Sequence, residues 1–147
     1  MREDGSRPTL LLAEDTALLS ASSWSPDGKT IGFFAYGAAD EELLKKYQLP
    51  FHFSLYVMNA NGSGRERLID VSVLPEFAWS PDSQRLALVS GYEDPARDDP
   101  RVRQGLQGFS TAIYVFDFQS QRLRRITPLG ENKSPSWSPD GRRIVYS

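Results

Sequence analysis

The chain has 147 residues, 39% hydrophobic and 12% aromatic, a length and composition that suit one packed domain. Its 17 basic and 19 acidic residues leave a net charge of −2, so no strong field draws nucleic acid or an anionic membrane. The absence of cysteine excludes disulfides, thiolate metal sites and a cysteine nucleophile.

In chain order, Met1-Arg2-Glu3-Asp4-Gly5 lacks the basic start and apolar core of a signal peptide. No segment approaches roughly 18 uninterrupted apolar residues, so no transmembrane helix is expected. Pro8-Thr9-Leu10-Leu11-Leu12-Ala13 reads as a short strand, and a second strand ends at Trp24. Ser25-Pro26-Asp27-Gly28 then reads as a tight turn. Proline presets φ, aspartate bonds neighbouring backbone N–H groups, and glycine takes a positive φ on the way into the next strand. That strand covers residues 30–36.

A long connection, residues 37–53, follows. It holds an expected short helix at 40–48, capped by Asp40, with Glu41 and Glu42 at its positive end and Lys45 and Lys46 at its negative end. Pro50 ends it, and Phe51-His52-Phe53 leads into a strand at 54–59. Asn59-Ala60-Asn61-Gly62-Ser63-Gly64 reads as a hairpin loop before a strand at 66–70.

The pattern then recurs. Trp79 lies 55 residues after Trp24, and Trp137 lies 58 after Trp79. Ser80-Pro81-Asp82-Ser83 and Ser138-Pro139-Asp140-Gly141 repeat the turn, with strands expected at 85–90 and 142–147. Ser83 replaces glycine, which predicts a slightly strained turn or a different bulge. A second long connection spans 91–111, followed by strands at 112–118 and 123–127. The loop around Gln119-Ser120-Gln121 has no glycine. Leu68 precedes Trp79 by 11 residues and Ile126 precedes Trp137 by the same 11, so separate segments keep one register.

Each unit reads as four antiparallel strands, a to d, and tandem units of this size form the blades of a β-propeller. The expected class is therefore all-β. Residues 7–21 supply a strand d and a connection, 22–70 one blade, 73–127 a second, and 134–147 strands a and b of a third. That arc of about 11 strands falls short of the four to eight blades of a closed ring. A segment of a longer protein, copies of the chain completing a ring, and an open arc all answer this shortfall.

The runs Trp24-Ser25-Pro26-Asp27-Gly28-Lys29-Thr30-Ile31, Leu55-Tyr56-Val57-Met58 and Trp137-Ser138-Pro139-Asp140-Gly141 resemble the TolB-type, WD-like β-propeller repeat. The resemblance implies a scaffold of the bacterial periplasm or envelope that holds a protein partner and peptide segments. Similar repeats occur in the propeller that gates prolyl-oligopeptidase-type serine peptidases, whose catalytic domain lies elsewhere in the chain. They also occur in a sugar-active lyase, which needs histidine and metal ligands scarce in this sequence.

The repeated residues Trp24, Pro26, Asp27, Gly28, Trp79, Pro81, Asp82, Trp137, Pro139, Asp140 and Gly141 read as architecture, with the tryptophans packing between blades. Tight a–b and c–d turns share one face, so both long b–c connections share the other, where loops carry function or cap the ring. The candidate binding residues there are Tyr47, Phe51, His52, Tyr92, Arg97, Arg101 and Arg103, facing a protein or peptide partner. No catalytic residue is expected: the single histidine has no Gly-x-Ser-x-Gly elbow to serve, and Gly62-Ser63-Gly64 lies in a hairpin loop. No metal or cofactor is expected either. One histidine without cysteine does not make a zinc site, and Asp94, Asp98 and Asp99 lack regular calcium-loop spacing. Arg122, Arg124 and Arg125 read as edge protection on strand d rather than a nucleic-acid patch.

Overall fold

A computed structural model describes residues 18–36, 53–71, 76–91 and 111–147. The described residues form two four-stranded antiparallel sheets and one of two strands. The first sheet runs β1 (Leu18–Trp24), β2 (Thr30–Tyr36), β3 (Phe53–Asn59), β4 (Glu66–Val71). The second runs β5 (Phe77–Trp79), β6 (Arg85–Ser90), β7 (Ala112–Asp117), β8 (Arg122–Arg125), and the third pairs β9 (Ser136–Trp137) with β10 (Ile144–Val145). Strand order equals chain order, the meander expected of propeller blades. β5 touches both β1 and β9, so the sheets converge along their first strands.

Alternation decides what each sheet buries. Phe34, Leu55, Val57 and Val71 of the first sheet pack against Trp79, Leu86, Leu88, Ala112, Tyr114 and Phe116 of the second. Full burial of each Leu or Phe contributes about 1.5–3 kcal/mol. Phe77 meets Phe34 edge-on at 5.6 Å, and Phe118 stacks on Trp79 at 5.5 Å. The opposite faces hold Ile31, Phe33, Ala35 and Met58 on the first sheet and Ala87, Val89 and Ile113 on the second. The latter group packs against Trp137 and Ile144 of the third sheet.

Gly32 lies where the first two sheets come closest. A Cβ there would stand 2.9 Å from Phe77 and 3.4 Å from Trp79. The equivalent residue eight after the next tryptophan is Ala87, fully buried beneath the third sheet. A small residue at this position lets the following blade dock.

Three strands end earlier than the sequence predicts. β8 stops at Arg125, two residues short of the expected 127, because the Thr127 hydroxyl takes over the ladder and accepts the Ile113 N–H at 2.9 Å. β7 stops at Asp117, whose carboxylate instead accepts the Ser120 N–H at 2.7 Å to close the loop. β10 covers two of the six residues expected at 142–147. Ser147 still exchanges both backbone hydrogen bonds with Lys133, but Ser134 sits at φ 50 between and interrupts the ladder. The expected strand at 8–13 and helix at 40–48 lie outside the described residues.

Candidate functional site

The two ends of the blades are built differently. At the turn end, one hydrogen-bonded ring appears three times. The Ser25 hydroxyl donates to Asp27 Oδ1 at 2.6 Å and accepts the Thr30 N–H at 3.0 Å. Asp27 Oδ1 also accepts the Lys29 N–H at 3.1 Å. Ser80, Asp82, Gln84 and Arg85 repeat it. So do Ser138, Asp140, Arg142 and Arg143. In each ring the serine hydroxyl is the largest influence holding the aspartate pKa below its ordinary value, with the backbone N–H next. The three serines were not among the sequence candidates, although they recur at the same spacing as the tryptophans.

Ser83 adopts φ 60, close to φ 70 at Gly28 and φ 67 at Gly141. The bulge is thus the same in all three turns, and the strain expected at a non-glycine residue has a counterpart: Ser83 Oγ accepts the Asp27 N–H of the preceding blade at 3.1 Å. Between the second and third blades the tie differs. Arg85 Nη2 donates to Gly141 O at 3.2 Å and to Asp82 Oδ2 at 3.1 Å, and its guanidinium lies 4.7 Å over the Trp137 ring. Trp79 Nε1 donates to Ser23 O at 3.3 Å and Trp137 Nε1 to Ala78 O at 3.1 Å, so each indole anchors to strand a of the blade before it. Trp24, with 55% of its surface exposed, makes no such bond among the described residues.

The opposite end carries the roots of both long connections. Leu18 pairs with Tyr36, where the first connection leaves, and Phe53 pairs with Tyr36 where it returns. Thr111 marks the return of the second and is buried in a polar knot. Its hydroxyl accepts the Asn132 N–H at 2.8 Å, and Asn132 Nδ2 donates to Thr111 O at 2.7 Å. Tyr47, Phe51, His52, Tyr92, Arg97, Arg101 and Arg103 lie outside the described residues, as do Asp94, Asp98 and Asp99.

Along the first strands of the three blades lies a cavity of about 310 Å³. It is lined by Ala21, Ser22 and Ser23 of the first blade, Glu76 and Phe77 of the second, and Ser134 and Pro135 of the third. Ala21, Glu76 and Ser134 each stand three residues before a repeated tryptophan. Ala21 (φ 43) and Ser134 (φ 50) both break their ladders there. Glu76 keeps the ladder through its carbonyl, which accepts the Val89 N–H at 3.0 Å, while its carboxylate Oε2 accepts the Ser134 N–H at 2.5 Å. The site offers hydroxyls and one carboxylate. Among the described residues no three His, Cys, Asp or Glu side chains gather as metal ligands.

A larger space of about 790 Å³ lies over β7 and β8 beside β10, lined by Arg85, Arg122, Arg124 and Arg142 with Asp117. The corresponding part of the first sheet is covered by Phe116 and Leu123. The space is therefore an interlayer slot next to a two-stranded sheet. Arg122, Arg124 and Arg125 are exposed on β8, the outermost strand of its sheet.

A meander of four-stranded sheets converging on their first strands defines a β-propeller, of which the described residues form an arc. No protein-family model matches the chain. It is 26% identical to the uncharacterized peptidase YuxL of Bacillus subtilis over 84% of its own length and 21% of that protein's. The fold resembles TolB from Acinetobacter baumannii, with a TM-score of 0.66 and 17% identity over 98% of this chain and 30% of TolB. It also resembles the β-propeller domain of the Trilobed protease from Pyrococcus furiosus, with a TM-score of 0.60 and 17% identity over 90% of this chain and 34% of that one. The chain thus spans about a fifth of its curated relative and about a third of these structures.

Proposed function

We propose that this chain is a non-catalytic arc of a β-propeller that binds a protein or peptide segment at the end carrying the b–c connections. The observation that supports this most is the contrast between the blade ends. One is closed three times by the same hydrogen-bonded turn, while the other carries the roots of both long connections. Loops held on a rigid scaffold are where recognition concentrates. The test is calorimetric titration of the full chain with a pool of short unstructured peptides. The same titration is run on a variant whose residues 38–51 are replaced by a short Gly-Ser linker. Binding that falls more than about tenfold, with thermal stability unchanged, is the expected result. Equal binding by the variant, or none by the parent, contradicts the reading.

A second reading has its own support, because the relatives include an uncharacterized peptidase and a protease propeller. In it the arc belongs to a propeller that gates a serine peptidase, and the hydrolase chemistry resides outside these residues. A fluorophosphonate probe applied to the protein isolated from its source organism labels a serine in this case. Absence of labelling contradicts it.

A further inference from the structure

We propose that Glu76, flanked by Ser22 and Ser134, forms a receptor for a primary ammonium group, specifically the free N-terminus of a bound peptide. The inference rests on the peptide-binding reading above and names the group that the cavity recognises.

Among the described residues Glu76 is the one carboxylate lining the cavity of about 310 Å³, and it stands immediately before β5, the middle of three converging strands. Its position is fixed from the next blade: Ser134, turned out of its ladder at φ 50, donates its N–H to Glu76 Oε2 at 2.5 Å. The bond orients the carboxylate and leaves Oε1 to accept from a ligand. Among the described residues no lysine or arginine pairs with Glu76. The hydroxyls of Ser22 and Ser134 line the same cavity and make no hydrogen bond among the described residues. A carboxylate oxygen and two hydroxyl oxygens offer three acceptors, and an ammonium group presents three donors. A charge-assisted bond of this kind is about twice as strong as a neutral one.

Size and walls narrow the ligand further. At about 310 Å³ the cavity lies at the lower end of the range of small-ligand pockets, about 300–1,000 Å³, a size that suits the first residue of a peptide. Phe77 and buried Pro135 give it an apolar side that suits a small first side chain. The cavity lies along the first strands of the blades, and on the Glu76 side it approaches the root of the second connection. Glu76 O bonds Val89 N–H two residues before Gly91, and Ser22 lies four residues after Leu18. A peptide whose first residue enters here would lead outward along the face assigned to binding.

The test uses the full chain, labelled with ¹⁵N, and three probes: trialanine amide, N-acetyl-trialanine amide and N-acetyl-lysine amide. Trialanine amide is expected to shift the amides of Ser22, Glu76, Phe77 and Ser134 in a saturable way. The acetylated peptide and the lysine side chain are expected to bind at least about tenfold more weakly. Glu76→Gln keeps the acceptor for Ser134 while removing the charge, and is expected to lose about tenfold in affinity with the fold intact by the same spectrum. Equal binding of the acetylated peptide, or undiminished binding by Glu76→Gln, overturns the proposal. So does stronger binding of the lysine side chain than of the terminal amine. Peptide shifts confined to other residues overturn this receptor and leave the broader reading standing. Absence of shifts with any peptide overturns both.

Discussion

The turn end and the mouth end of the blades are made from equivalent positions of the same repeat, yet they obey different rules. At the turn end, Ser25, Ser80 and Ser138 make the same bonds to Asp27, Asp82 and Asp140. The serine and aspartate of each ring bond each other and the backbone of their own turn, so these groups are committed to holding the turn. At the mouth end, Ala21, Glu76 and Ser134 differ in side chain and in backbone. Repetition marks what the fold requires, and departure from repetition marks where the molecule was free to specialise. The strain at Ala21 and Ser134 belongs to the second category.

Substitutions can break this comparison by separating stability from recognition. The largest effect belongs to the indoles that join the blades. Trp79→Ala is expected to destabilise by about 3–5 kcal/mol in denaturant unfolding. Trp137→Ala costs less, because Trp137 is only half-buried while Trp79 is buried. Equal losses would mean that the two blade junctions are energetically alike. Gly32→Val comes next, at about 1–3 kcal/mol, because its side chain must displace the Phe77 ring 2.9 Å from the Cβ position. Isothermal denaturation reads this directly.

Ser83 sharpens the comparison at the scale of one hydrogen bond. Ser83→Ala keeps a side chain at φ 60 and loses the bond from the Asp27 N–H, for an expected loss of about 1 kcal/mol. Ser83→Gly loses the same bond but relieves the backbone, so its loss is smaller. The reverse order would remove the hydroxyl as the reason for serine at this turn.

The smallest effect concerns pH. Asp27, Asp82 and Asp140 have folded pKa values held below 3.8, first by serine hydroxyls and then by backbone N–H groups. Their stabilisation is therefore present above the ordinary carboxylate range and is lost as pH falls through the depressed folded values. Acid titration of Asp82→Asn is expected to show a flatter loss of stability below pH 3.8 than the parent. An identical slope would detach that ring from acid unfolding.

Much of the fold was legible because its signals are local. A tryptophan, a Ser-Pro-Asp turn and an apolar run at fixed offsets set β2 at Thr30–Tyr36 and β6 at Arg85–Ser90, as the sequence predicts. The junctions between blades were harder to see. Gly32 looks like a weak point in a strand until Phe77 is found against it, 45 positions later in the chain. Ser83 looks like a flawed glycine until its hydroxyl is seen to reach the neighbouring turn. Glu76 carries no motif at all. Its only sequence signal was its place three residues before Trp79, aligned with Ala21 and Ser134. The candidate binding residues on the long connections came from loop length and topology, and they lie outside the described residues.

The central claim is that recognition belongs to the mouth end and stability to the turn end. The most direct measurement pairs thermal unfolding with peptide titration for two variants. One is Ser80→Ala, which opens the buried turn ring, and the other is the chain with residues 38–51 replaced by a linker. The account predicts that Ser80→Ala lowers Tm by several degrees, about 2–4 °C per kcal/mol, with peptide affinity unchanged. The linker variant is predicted to keep its Tm and lose affinity. A turn variant that loses affinity while still folded, or a linker variant that binds like the parent, contradicts the account.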